Sequence, residues 1–141
     1  MRGLCCAFML LTAVMLTTEG QSQPAPRALS CTFTNGTSSS FDADWATNAI
    51  RDRLDITIGA IDVADRKAQL IGNQGASDLY VSQGNNGLHF LEMTDARNQT
   101  LTTIFFGAQK AGAFAAIHSR HMAIAGRPVV SQYRGYCIPK N

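Results

Sequence analysis

From Leu54 to its end, the chain alternates short apolar runs with turn residues at intervals of about ten residues. In the first run, Leu54, Ile56 and Ile58 alternate with polar Asp55 and Thr57, which is the period of a half-buried β-strand. Sequences such as GNNG at 84–87 are strong hairpin signals. Connections of hairpin length join antiparallel neighbours in chain order. We therefore predict a mainly β protein, a small antiparallel meander of about seven or eight strands.

The ends of this meander are predicted to meet. Cys31 lies in the first predicted strand and Cys137 in the last, and a disulfide between them requires Cα atoms within about 7 Å. First and last strands would then be neighbours. A closed eight-stranded up-and-down barrel has no exposed sheet edge, and this architecture is the one we predict; a β-sandwich is the alternative.

One segment has helical spacing. In DADWATNAIRDRLD, residues 42–55, Asp42 or Asp44 can cap a helix, and Trp45 and Ala49 lie one turn apart. We predict one short helix there.

The N-terminus predicts export. Residues 1–20 combine one early arginine with an uncharged apolar run and then small residues, which is typical of a secretory signal peptide. The run is short for a membrane span, so no span is expected after its removal. Residues 21–29 then form a flexible lead-in, and residues 30–141 a single β domain. Removal leaves Cys31 and Cys137 as a pair in an oxidising periplasmic or extracellular space.

Composition and motifs argue against several functional classes. The 12 Lys and Arg nearly balance the 10 Asp and Glu, so the basic stripe of a nucleic-acid-binding protein is missing. The chain contains none of the nucleophile-elbow, zinc-protease, phosphate-loop or dinucleotide motifs. We therefore expect a binding protein rather than an enzyme, with no cofactor, no catalytic residue and no bound metal.

The segment AIHSRHMAIAGRPVVSQYRGYC is the richest in functional side chains. As a strand it places His118 and His121 on opposite faces, whereas as a helix both could ligate one metal with Glu92 or His89. The strand is favoured. His118 and Arg120 then share a face, and Tyr133 and the threonines of TLTT at 100–103 become candidate partners in the barrel interior. Such a polar cluster can orient a ligand, or it can be a purely structural network.

Three functions remain open. The first is a protein-interaction or inhibitor module that binds another exported or cell-envelope protein through the loops around Asn85 and Asn86 and the 118–134 segment. Its outline, a small exported barrel with one disulfide, resembles in architecture the periplasmic lysozyme inhibitors. The second is a carrier of a small apolar ligand in the barrel lumen, and the third a histidine-based metal or hydrolytic site. Candidate binding residues are His118, Arg120, His121, Arg127, Tyr133, Arg134 and Phe106.

Overall fold

The computed structural model describes residues 24–72 and 75–140. The predicted signal peptide, residues 1–20, lies outside these ranges. Nine strands follow one another in the described residues: β1 (Leu29–Phe41), β2 (Trp45–Ile50), β3 (Leu54–Asp62), β4 (Lys67–Gly72), β5 (Gly75–Gly84), β6 (Gly87–Met93), β7 (Gln99–Lys110), β8 (Ala113–Ile124) and β9 (Arg127–Pro139).

Eight of these strands form a closed antiparallel barrel. β3 to β9 pair in chain order, and β1 pairs with β3 on one side and with β9 on the other. The meander and its closure are therefore confirmed, and the sandwich alternative is wrong. The physical reason is that the period-two pattern buries one face of each barrel strand and that short turns connect neighbouring strands.

The predicted helix within residues 42–55 is wrong. Trp45–Ile50 form β2, which folds back on the second half of β1 through the turn at 42–44, with Trp45 opposite Phe41. A short isolated helix is marginal in water unless it buries an apolar face, and nearly all of β2 is exposed. β1, which is 13 residues long, offers a free edge whose backbone groups pair with β2, and this tertiary pairing outweighs the helical spacing.

β2 and β3 lie end to end along the same edge of β1. β3 pairs with residues 29–33 of β1 and β2 with residues 36–41. β1, β8 and β9 also continue together beyond the last pairing of β7, which joins Gln99 to His121. We call the four strands of this extension the projecting sheet; it comprises residues 36–41 of β1, 45–50 of β2, 122–124 of β8 and 127–129 of β9.

The barrel seam carries the predicted disulfide. Cys31 of β1 and Cys137 of β9 lie directly opposite one another, with Cα atoms 4.0 Å apart. Both are buried. The bond thus joins the first barrel strand to the last across the seam that closes the sheet, as the sequence predicts, and it is of the kind that forms in an oxidising compartment.

Side chains fill the barrel interior at the end where β1 begins and β9 finishes. We call it the filled end. The largest fully buried residues include Leu29, Phe33, Ile58, Leu88, Phe90 and Ile104. Eight strands leave an interior just wide enough for such packing. The opposite end of the barrel, which we call the mouth, carries polar as well as apolar side chains on its inner face.

The predicted lead-in joins the barrel at its last residues. β1 already includes Leu29, which is fully buried. Just before it, the carbonyl of Arg27 accepts a hydrogen bond from the N–H of Ile61, and the carbonyl of Ala28 accepts one from Lys140. These bonds attach the entering chain to the filled end.

Candidate functional site

A row of polar residues crosses the sheet on its inner face at the mouth. Glu92 of β6 lies opposite Thr100 of β7, which lies opposite Arg120 of β8; Arg120 lies opposite Ser131 of β9, which lies opposite Ser38 of β1. Residues directly opposite in antiparallel strands point to the same side of the sheet. The row is therefore a continuous band of polar side chains around part of the barrel interior, above the apolar core.

His118 lies one row deeper and is 2 % exposed. Its Nε2 accepts a hydrogen bond from Nε of Arg120 at 3.1 Å, so the neutral ring carries its proton on Nδ1. Nδ1 then donates to the Thr102 hydroxyl at 2.8 Å. The ring also contacts Phe33 and Tyr133, with centroids 5.6 and 6.2 Å away. Both ring nitrogens are thus satisfied and the imidazole is held in one orientation.

This environment keeps His118 uncharged. Burial and, to a smaller extent, the nearby Arg120 guanidinium lower the pKa of His118 from 6.5 to about 4. Desolvation disfavours the charged imidazolium, and a neighbouring cation adds to that effect. The neutral ring is therefore an acceptor for Arg120 throughout the neutral pH range.

The buried neutral histidine predicts a loss of stability in mild acid. Between pH 6.5 and pH 4 the unfolded chain binds a proton at His118 that the folded chain does not, so stability falls as pH falls through this window. From pH 7.5 to 4.5 we expect His118 to contribute a loss of about 2–3 kcal/mol in the free energy of unfolding. Urea unfolding at both pH values measures it.

The matched control for this prediction is the second histidine of β8. The His118→Gln variant should lose that part of the pH dependence, whereas His121→Gln, whose ring is exposed, should retain it. Equal pH dependence in the His118→Gln variant and the parent would show that His118 does not remain neutral on folding.

Arg120 is held in place by neutral neighbours. Besides its hydrogen bond to His118, its guanidinium lies over the Tyr133 ring at 5.5 Å from the centroid. In the described ranges, ion pairs join Arg53 to Asp55 and Arg127 to Asp42, and none involves Arg120. The two terminal amino groups of this side chain are therefore positioned without a carboxylate partner among the described residues.

Two further polar groups belong to the mouth. The Ser77 hydroxyl donates to Oε1 of Glu92 at 2.6 Å, which fixes that carboxylate on the β5–β6 side. The Ser131 hydroxyl oxygen is buried and has no hydrogen-bond partner among the described residues. Buried polar atoms are nearly always hydrogen-bonded, so an unpartnered hydroxyl beside Arg120 marks a position suited to a bound polar group.

A cavity of about 610 Å³ opens at the mouth. Its apolar wall is formed by Leu54, Ile56 and Leu70, and its polar wall includes Glu92 and Arg120. Volumes of this size are typical of sites for small ligands.

The projecting sheet exposes a free edge. β2 pairs with β1, and the described residues contain no strand on its other side. Five of its six residues are exposed. An edge strand presents a row of unpaired backbone N–H and C=O groups that can pair with another chain.

The predicted site residues do not form one cluster. His118, Arg120 and Tyr133 come together at the mouth, whereas the exposed His121 and Arg134 lie on the outer face of the sheet. The two histidines therefore point to opposite faces and cannot share a metal ion.

The remaining predicted residues lie farther away. Arg127 starts β9 in the projecting sheet, 3.7 Å from Asp42 in an exposed ion pair, and such pairs contribute little to stability. Phe106 packs edge to face on Phe114 with centroids 5.2 Å apart, and its N–H donates to the Asn86 carbonyl. The turn at Asn85 and Asn86 lies at the filled end, opposite the 118–134 segment, so the two do not form one surface.

Sequence reasoning missed several residues of the mouth. Glu92 was considered only as a metal ligand, and neither Ser77 nor Ser131 was assigned to the site. The signal was present in the strand period, because Leu88, Phe90 and Glu92 are in phase along β6. The free edge of β2 was missed because its segment was assigned to a helix.

The described residues contain no group of three or more side chains arranged to hold a metal ion. They also contain no helix long and apolar enough to cross a membrane. No protein-family model, curated protein or solved structure matches the chain.

Proposed function

We propose that this chain is an exported binding protein that engages another exported or cell-envelope protein by adding a strand of that partner to the free edge of β2. One observation carries the proposal: β2 lacks the features that usually protect an edge strand. Its sequence WATNAI has no charged residue and no proline, and its register with β1 contains no bulge. Native proteins commonly block exposed edges with charged residues, proline or bulges. Strand addition to an unblocked edge is a common way to bind a peptide segment.

The charges flanking β2 favour a different protein over a second copy of this chain. In a symmetric antiparallel pair of β2 strands, residues that face each other point to the same side of the sheet. The two-fold axis must therefore lie at a residue that faces its own copy. If Thr47 faces its copy, Asp52 comes opposite Asp42, and if Asn48 does so, Asp52 comes opposite Asp44. Like charges opposite one another destabilise strand pairing.

Two features of the chain support export. Residues 1–20 have the pattern of a secretory signal peptide, and the Cys31–Cys137 disulfide belongs to an oxidising compartment. The packed filled end of the barrel supports recognition at the surface over the carriage of an apolar ligand deep in the lumen.

Photo-crosslinking in the producing cells tests this proposal. A benzophenone amino acid replaces Ala49, on exposed β2, or Lys110, a control that is also exposed and lies at the end of β7 near the filled end. We expect a covalent adduct from position 49 and none from position 110. Adding Asn48→Lys, which places a charge on the edge strand, should reduce the adduct at least about fivefold while leaving the barrel folded.

Two outcomes would contradict strand addition by a partner. The first is an adduct of twice the mass of the chain, which would identify a second copy as the occupant. The second is an adduct yield that the Asn48→Lys substitution leaves unchanged, because binding would then not use the edge.

A further inference from the structure

Two opposite charges line the mouth without pairing with each other. Glu92 and Arg120 both border the mouth cavity, but no ion pair joins them. Thr100 lies between them in the row, so their Cα atoms are about 10 Å apart at the usual strand spacing. A salt bridge that would only stabilise the barrel would bring these groups into contact.

Each charge is instead held by neutral groups. Ser77 fixes Glu92 through Oε1, and His118 fixes Arg120 through Nε. These bonds leave the second carboxylate oxygen and the terminal guanidinium amino groups for other partners. A guanidinium fork of this kind matches a carboxylate with two parallel hydrogen bonds.

The other charged residues near the cavity do not neutralise the separated charges of Glu92 and Arg120. Asp55 also borders the cavity, but it accepts hydrogen bonds from Arg53 and from Thr32. The bonds to Arg53 and Thr32 lower the pKa of Asp55, so its charge is already compensated. Asp95, at the rim, adds negative charge on the side of Glu92 and strengthens the attraction for a cation there.

The unpartnered hydroxyl of Ser131 is an independent indication of a polar ligand. Ser131 is 3 % exposed and lies directly opposite Arg120 on the same face of the sheet. Its hydroxyl can donate to an anionic group that Arg120 binds. The apolar wall of the cavity lies across the mouth from it, among residues of β3 and β4.

From this arrangement we infer that the mouth binds a small zwitterion of the amino-acid or short-peptide type with an apolar side chain. The ligand carboxylate lies on the Arg120 fork near Ser131, and its ammonium group on the carboxylate of Glu92. The apolar side chain lies against Leu54, Ile56 and Leu70. This site uses none of the residues of the β2 edge, so it is a second binding activity beyond strand addition.

The wild-type protein with charge-matched probes provides the main test. L-leucine and L-leucyl-L-leucine are titrated into the isotope-labelled, disulfide-bonded chain, and amide chemical shifts are followed. We expect saturable shifts centred on Glu92, Thr100 and Arg120 with the dipeptide, and L-leucine reports whether a single residue is sufficient. N-acetyl-L-leucyl-L-leucine lacks the ammonium and L-leucyl-L-leucinamide lacks the carboxylate, and each should bind at least about tenfold more weakly than the dipeptide.

Two results would overturn the inference. One is that the dipeptide produces no saturable shifts at the mouth. The other is that a probe with a single charge binds as well as the dipeptide, because the separated charges would then not be the recognition element.

Variants assign the two charges. Glu92→Gln should weaken binding of the dipeptide but not that of N-acetyl-L-leucyl-L-leucine, which has no ammonium group, so the affinities of these two ligands should converge. Arg120→Gln should make the dipeptide and the amide converge in the same way. Arg134→Gln, which removes an exposed arginine on the outer face of neighbouring β9, should leave all affinities unchanged.

Discussion

Replacement of both Cys31 and Cys137 by alanine is expected to lower the free energy of unfolding by about 4 kcal/mol. The two residues are 106 positions apart, so the disulfide closes nearly the whole domain in the unfolded chain. In the chain-entropy model a cross-link over a loop of this length stabilises the folded state by roughly 4–5 kcal/mol, and removal of native disulfides typically costs about 2–5 kcal/mol.

The effect should be large here because the bond lies at the seam. β1 and β9 are the first and last strands of the barrel, so their pairing has the greatest sequence separation. Bringing them together therefore costs the most loop-closure entropy. Urea unfolding of the parent and the double alanine variant under oxidising conditions measures the difference. A double serine variant serves as a second comparison, because it adds the burial of two hydroxyls at positions that are nearly inaccessible to water.

An unchanged unfolding midpoint in the double alanine variant would contradict this account. It would mean that strand pairing alone closes the barrel. The mass of the intact mature protein gives a direct check, since a formed disulfide lowers it by two hydrogens relative to the reduced chain.

Gly135→Ala is expected to be the most damaging single methyl addition at the seam, with a loss of at least about 3 kcal/mol or failure to fold. A Cβ added at Gly135 would overlap the carbonyl oxygen of Thr32 and lie 2.7 Å from Cα of Phe33. Both atoms belong to the β1 backbone, which pairs with β9 at this point. Relief of the clash therefore requires the two strands to separate.

Gly107→Ala is the matched control. A Cβ added at Gly107 would have no atom within 4 Å apart from its chain neighbours, and the residue is exposed, so the change in stability should stay within about 0.5 kcal/mol. Thermal and urea unfolding of the two variants give the comparison. If Gly135→Ala were as stable as Gly107→Ala, the close approach of β1 and β9 at Gly135 would be disproved.

The two seam variants also distinguish an effect on the entropy of the unfolded chain from an effect on packing in the folded chain. Loss of the disulfide acts mainly through the unfolded chain, whereas the added methyl group acts on the folded one. In the double alanine background the Gly135→Ala substitution should still be strongly destabilising, since its clash involves the backbone and does not depend on the sulfur atoms.

Period-two alternation was sufficient to predict the strands because it reflects a local rule. In β3, Ile56 and Ile58 are buried as the alternation predicts. In β8 the apolar residues alone did not decide the period, but once the segment forms a strand the same rule places His118 and Arg120 on one face. The opposite orientation of His121 follows from the same rule. The sequence also named Tyr133 as a candidate partner of His118, and Tyr133 lies opposite His118 on the next strand.

The segment at 42–55 shows where local reasoning fails. Its spacing fits a helix, but β1 extends beyond β3 and leaves an edge that β2 covers on one side. The length of β1 was not visible in the sequence, since NGTSSS at 35–40 resembles a turn and loop. The pairing of β1 with β2 and with the distant β9 decided the structure of residues 35–40 and 42–55.

By itself, the sequence determined the antiparallel meander, the pairing of the two distant cysteines and the face that each strand residue shares with its alternate neighbours. All three follow from side-chain alternation, short connections and the reach of a disulfide, which are local or pairwise constraints. Only the tertiary structure decided which polar residues meet at the mouth, because Glu92, Arg120 and Ser131 belong to three strands whose registers are set by closure of the whole barrel. For the same reason only the closed barrel shows that four strands extend past the mouth and leave the edge of β2 free.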